Sequence, residues 1–161
     1  MIAKPTIESL SQPENVYEWA IKCNPSIETL YTCGNDALLS HRYSGKRVGI
    51  VGTRNSTFAG AHDARRIAQV LCRYGAVVIS GLAVGIDGAA HQGALDVGGK
   101  TVAVLGSGID FIYPNMHKKL ANDILVDGCL VSEYQPHTKP LAWHFPIRNR
   151  IIAAMSDVIV V

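Results

Sequence analysis

The chain has 161 residues, the size of one ordinary domain, long enough to bury well over half of its unfolded surface. Hydrophobic residues at 48% against charged residues at 17% exclude a disordered chain, and 15 glycines exceed the roughly 7% of average usage, which suits several tight turns. Lys and Arg outnumber Asp and Glu by only 15 to 13, so the net charge of +2 does not mark a nucleic-acid binder, and any such site must come from local clustering.

The N-terminal Met1-Ile2-Ala3-Lys4-Pro5 lacks the apolar run and cleavage site of a secretory signal. No stretch approaches the roughly 18 apolar residues that span a bilayer, so a cytoplasmic location without membrane association is expected. Ser11-Gln12-Pro13-Glu14 leads into Val16, Trp19 and Ala20 at helical spacing, and residues 1–45 read as a small helical lead-in.

From residue 46 the pattern changes to short apolar runs alternating with amphipathic helices. Strands are expected at Val48–Val51, Ala76–Ser80, Thr101–Leu105, Cys129–Ser132 and Asp157–Val161. They are nearly continuous apolar runs, as in a sheet covered on both faces. Helices are expected at about Thr57–Tyr74, Ile86–Val97, Met116–Val126 and Ile147–Met155, the last with Pro146 where a missing amide hydrogen costs nothing. The order predicts an α/β fold with a doubly wound, mainly parallel sheet. It stops at Val160-Val161 in mid-strand, and the domain is expected to be truncated at that end. The cysteines, Cys23, Cys33, Cys72 and Cys129, are widely spaced and read as reduced thiols rather than a zinc or redox pair.

In such a sheet, ligands bind beyond the carboxyl ends of the strands. Gly52-Thr53-Arg54 follows the first parallel strand and leads to a helix start that offers free amide hydrogens to a phosphate, with Arg54 as a positive fork. Ser80-Gly81-Leu82-Ala83-Val84-Gly85-Ile86-Asp87 brings a second helix start to the same rim. Gly106 to Pro114 supplies a longer loop whose Phe111 and Tyr113 offer stacking faces. His117, Lys118 and Lys119 add positive charge, and Arg148, Asn149 and Arg150 open the last helix near the rim.

Plainer readings exist for each segment. Gly52 makes a turn, Ser56 or Thr57 caps a helix, Phe111 and Tyr113 fill a small core, and Arg148 or Arg150 pairs with Glu133 or Asp157. Asp87 and His91, four apart, share a helix face. A first-turn carboxylate bonded to that histidine is the simpler account than a metal pair, since no third ligand has sensible spacing. Ser80 lies outside a Gly-x-Ser-x-Gly elbow, no nucleotide-hydrolase loop is present, and Gly106-Ser107-Gly108 lacks the third glycine of a dinucleotide fingerprint. Phosphate binding survives this reading, whereas catalytic residues, cofactors and metals are not expected.

Together Gly52-Thr53-Arg54, the loop from Ser80 to Asp87 with Ala90-His91, Gly106 to Pro114, Ser132-Glu133-Tyr134 and Phe145-Pro146-Ile147-Arg148-Asn149-Arg150 resemble the DNA-processing protein A (DprA/Smf) family from about Asn24 to Val161. The resemblance implies a Rossmann-like domain at 46–161 preceded by a partial SAM-like region at 1–45. It implies a positive pocket that binds and protects single-stranded DNA and helps load RecA in natural transformation, by a protein that is no enzyme and is a homodimer at full length. Carried over by motif, Arg54 contacts phosphate at the pocket mouth, with Gly52, Thr53, Ser80, Gly81 and Gly106 giving close backbone approach. Arg148, Asn149 and Arg150 line the other wall, and Gly85, Asp87, His91 and Glu133 shape the loops. Members often carry a lysine directly after the Tyr-Pro pair. Here Asn115 stands there and lysines follow only at Lys118 and Lys119, which implies either a weaker hold on DNA or a positive contact moved along the helix, to Lys118. Two other readings remain: a nucleotide-binding or nucleotide-cleaving enzyme using Asp87 or Glu133, and an interaction module whose glycine loops serve packing alone.

Overall fold

A computed structural model describes residues 6–9, 18–21, 23–40 and 43–161. In chain order the strands are β1 (Thr6–Ser9), β2 (Thr29–Gly34), β3 (Arg47–Ile50), β4 (Val77–Ser80), β5 (Thr101–Val104), β6 (Cys129–Ser132) and β7 (Val158–Val160). The helices are α1 (Glu18–Ile21), α2 (Phe58–Arg73), α3 (Ile86–Asp96), α4 (Lys118–Ile124) and α5 (His144–Met155). The described strands form one sheet in the order β1-β2-β6-β5-β4-β3-β7. Pairing is parallel from β6 to β7, as expected of a doubly wound sheet.

Period-two alternation divides each central strand between two faces. Val77, Ile79, Val102, Val104 and Val131 pack with Ile151, Ile152 and Met155 of α5 and with Trp19. On the opposite face Val48, Ile50 and Val78 meet Ala64 and Ala68 of α2 and Ala90 and Ala94 of α3. Further along that face, Ala103 and Leu130 meet Leu120, Ala121 and Ile124 of α4. Because α2 follows β3 and α5 precedes β7, both helices begin at the carboxyl edge of the sheet, on opposite faces.

The expected strands after residue 46 stand within one residue of their predicted bounds. Thr57 caps α2 by accepting the Gly60 N–H at 3.0 Å. Helix α5 starts three residues before the predicted Ile147, which leaves Pro146 inside the first turn, where its missing donor is still harmless. The predicted helix from Met116 is divided into a 3-10 turn at Asn115–His117 and then α4, with His117 Nδ1–H donating to the Leu82 carbonyl at 2.8 Å.

The lead-in contributes α1 and a 3-10 turn at Asp36–Leu39, and it also contributes sheet. Strand β2 pairs antiparallel with β6, and β1 with β2, so the sheet continues across the boundary expected near Gly45. The helix cap expected at Ser11–Glu14 lies outside the described residues. None of the four cysteines, all of them among the described residues, forms a disulfide.

Candidate functional site

The four loops singled out in the sequence converge at the carboxyl edge. Gly52, Arg54, Ala83, Phe145, Arg148 and Asn149 line a cleft of about 140 Å³. It adjoins a second of about 180 Å³ that shares Arg54, Ala83 and Phe145 and adds Val84, Tyr113 and Pro114. A larger trough of about 420 Å³ on the outer face of α2, lined by Ile67, Val70 and Leu71, includes none of the predicted site residues.

Several of the backbone amides expected to receive phosphate are already occupied. The Asp87 carboxylate accepts the Gly81 N–H at 3.1 Å, and Gly52 and Ala83 also donate to it. Burial pushes Asp87 above the usual carboxylate range, opposed by the nearby Arg148 charge and these amides. Thr53 is likewise engaged, its hydroxyl accepting the Asn55 N–H at 3.1 Å in a tight local turn. The nest between the two helix starts therefore holds an anion supplied by the chain itself.

Arg148 forms the floor of the cleft rather than an open wall. It is 2% exposed, and its Nη1 donates to the Gly81 carbonyl at 2.7 Å and to the Val104 carbonyl. Burial lowers its pKa to about 10, against the opposing pull of Asp87, so it is charged at neutral pH. Glycine is required at 81, since a Cβ there would stand 2.5 Å from Arg148 Nη2 and 2.6 Å from Asp87 Oδ2. Ser80 is fully buried, with its hydroxyl donating to the Ile50 carbonyl at 2.6 Å, so it joins β4 to β3 instead of facing a ligand.

Asp87 and His91 do not form the predicted hydrogen-bonded pair. Nδ1 of His91 lies 2.7 Å from the Thr101 hydroxyl, and burial first, then the His117 and Arg148 charges, lower its pKa to about 3. Gly85 immediately precedes α3. No group of three or more His, Cys, Asp or Glu among the described residues is placed to hold a metal.

What faces solvent is an arginine and aromatic rings. The exposed Arg54 lies over the Phe145 ring, 4.8 Å from its centroid, and Tyr113 stands 5.6 Å away on the same ring. Phe145 seats closely on Gly106, where a Cβ would come within 2.9 Å of the ring. His144, just before it, is buried and donates to the Gly106 carbonyl at 3.0 Å, fixing the head of α5. Phe145 is the ring the sequence reading missed. In the sequence it stands only within the motif that carries Arg148, and the one signal that marks it is its place directly before Pro146 at a helix start. Phe111 is half-buried, with its carbonyl accepting from Ser107 Oγ, while Asn149 and Lys118 are exposed.

Arg150 faces elsewhere. Its guanidinium makes a bidentate pair with Glu133, both contacts at 2.7 Å, and Nε donates to the Pro25 carbonyl at 3.2 Å. This is the plainer of the two sequence readings. The pair lies beside a separate hollow formed with residues 25–29.

A family model described as DNA recombination-mediator protein A matches residues 7–161. The chain belongs to this family, the one its motifs resemble. It is 42% identical over 132 residues to the DNA processing protein DprA of Bacillus subtilis, covering 82% of this chain and 43% of that protein. It is 44% identical over 146 residues to the protein Smf of Synechocystis, covering 89% and 35%. In three dimensions it is similar to DprA of Streptococcus pneumoniae, with a TM-score of 0.85 at 36% identity over 98% of this chain and 54% of that one. DprA of Helicobacter pylori, whose structure is described as giving insight into a single-stranded DNA binding mode, gives 0.84 at 31% identity over 99% and 70%. The fold is thus Rossmann-like, as expected. The chain spans less than half the length of these curated relatives.

Proposed function

We propose that this chain binds single-stranded DNA at the Arg54–Phe145 cleft, shields the strand there, and through that hold supports loading of RecA during recombination in the cytoplasm. The observation that carries the reading is the exposed Arg54 guanidinium stacked on Phe145 with Tyr113 beyond it. A cation beside two aromatic faces matches the chemistry of a phosphate followed by unpaired bases, which stack irrespective of sequence. Asn149 adds an exposed amide to the same cleft. Helicobacter pylori DprA, alike over nearly the whole of this chain, supports the choice of ligand. In the longer relatives a homodimer would place two such clefts on one strand.

The nucleotide-cleaving alternative is disfavoured by the state of its two carboxylates. Asp87 is bound by backbone amides and Glu133 by Arg150. Titration of a fluorescent single-stranded oligonucleotide against the wild type and Arg54→Ala, with duplex and mononucleotide competitors, tests the reading. Salt-sensitive binding that prefers single strands and is lost with Arg54 supports it. Tight mononucleotide binding without DNA affinity would overturn it.

A further inference from the structure

Resting on that DNA reading, we infer that the strand runs across the whole carboxyl edge, from Phe58 at the head of α2 to Trp143 at the head of α5, stacking a base on each. All three phenylalanines of the chain, Phe58, Phe111 and Phe145, lie in segments that follow strand ends. Phe58 is 91% exposed and Trp143 57% exposed. Both rings are open to a ligand at this rim, and a base has the flat apolar face that would cover each.

Their placement follows from the winding. Helix α2 covers one face of the sheet and α5 the other, so Phe58 and Trp143 stand on opposite sides of the Arg54–Phe145 contact, which bridges the two layers. The Trp143 platform is preformed. Its ring meets His144 edge-on at 4.2 Å, His144 stacks on Tyr134 at 4.0 Å, and His144 is tied to the Gly106 carbonyl. A ring fixed in this way loses little freedom when a base lands on it. Exposed cations accompany both ends in sequence, Arg54 before Phe58 and Lys139 before Trp143. Exposed rings with a cation a few residues from each suit a nucleic-acid backbone better than an apolar protein partner.

The chain carries its own probe, since its only other tryptophan, Trp19, is 4% exposed in the core. The experiment titrates oligothymidylates of about two to about twelve nucleotides, lengths that bracket single-strand site sizes. It follows anisotropy of a labelled oligonucleotide and tryptophan emission in parallel, for wild type, Trp143→Ala, Trp143→Phe and Phe58→Ala. The expected result is quenching of Trp143 emission on binding. Trp143→Ala and Phe58→Ala should each lose roughly 5- to 150-fold in affinity for the longest oligonucleotide, with little change for the shortest, and Trp143→Phe should restore most of it.

Anisotropy that reports tight, Arg54-dependent binding while Trp143 emission and the alanine variants stay at wild-type values would overturn the track and leave the cleft intact. Emission that changes with protein concentration in the absence of DNA would assign Trp143 to a contact between copies of the chain, and overturns it equally. No binding of any oligonucleotide would overturn the DNA reading itself.

Discussion

Arg148 donates to the carbonyl of Gly81, a residue 67 positions earlier, at 2.7 Å, and the same nitrogen also reaches the carbonyl of Val104. One guanidinium thereby ties the ends of β4 and β5 to the helix that carries Phe145. The cleft owes its shape to this buried clamp and to Asp87, which balances its charge.

Removing the clamp should cost stability first and DNA affinity second. Arg148→Ala leaves the Gly81 and Val104 carbonyls without this donor and the buried Asp87 without the nearby positive charge, an expected loss of about 3–5 kcal/mol in chemical denaturation. Arg148→Lys keeps the charge without the fork and should fold, but loosely. Its affinity for single strands should fall without a change in the slope of log affinity against log salt, because no phosphate contact is lost. Arg54→Ala should instead flatten that slope by about 0.7 for each phosphate released. Equal slopes in the two variants would return Arg148 to the list of phosphate ligands.

Emptying the amide nest should create a site that the wild type lacks. In Asp87→Ala the Gly81 amide and the Arg148 charge lose their internal anion, so inorganic phosphate should raise the melting temperature of the variant beyond what an equal ionic strength of chloride does. The wild type should show a smaller excess of phosphate over chloride, set by the general effect of the salt and by the exposed Arg54. A variant indifferent to phosphate would show that the nest closes when its carboxylate leaves.

The sheet was legible because its central strands are buried on both faces and read as unbroken apolar runs such as Val77–Ser80 and Thr101–Val104. Strand β2 is less legible because Thr29–Gly34 mixes threonines and a glycine with its apolar residues, and it owes its state to antiparallel pairing with β6, a partner about a hundred residues away. The rim was legible for a related reason: glycines and charges gather where strands end. The assignments within it were less so. Arg148, Asn149 and Arg150 are adjacent in sequence, yet helical geometry sends them to the buried floor, the open cleft and the Glu133 pair respectively. That Asp87 occupies the anion nest depends on the fold bringing Gly52 beside Gly81, which no local pattern encodes.

Two groups with lowered pKa values give acid sensitivity in separable windows. His91 is held neutral, from an ordinary value of 6.5 to about 3, so the unfolded chain binds the extra proton first. Its stabilising contribution is complete above about 6.5 and is lost as pH falls toward 3. Asp96 is lowered from 3.8 to about 2, chiefly by its hydrogen bond from Arg65, with Gln92 and Gln69 assisting. Its contribution persists down to about pH 4 and disappears toward 2. Urea midpoints across this range should show His91→Gln removing the upper part of the acid loss and Asp96→Asn the lower part. Parallel curves for wild type and His91→Gln between pH 7 and 5 would contradict the first assignment.

The Glu133–Arg150 pair separates architecture from binding most cleanly. Both side chains are about 15% exposed, the contact is bidentate, and Arg150 also holds the Pro25 carbonyl while its own carbonyl receives the Cys23 thiol at 3.8 Å. The pair is therefore a staple between α5 and the segment that leads into β2. A contact intermediate between exposed and buried ion pairs should be worth about 1–3 kcal/mol. Arg150→Ala should lose that much in denaturation, with hydrogen exchange accelerated across Thr29–Gly34 and hardly altered in β4 and β5. Because Arg150 lies outside the Arg54–Phe145 cleft, the affinity of the folded variant for a short single strand should stay within about twofold of wild type, a difference well under 1 kcal/mol. A tenfold loss with intact exchange protection would mean that Arg150 reaches the DNA after all, and would extend the binding surface around the head of α5 to the Glu133 side.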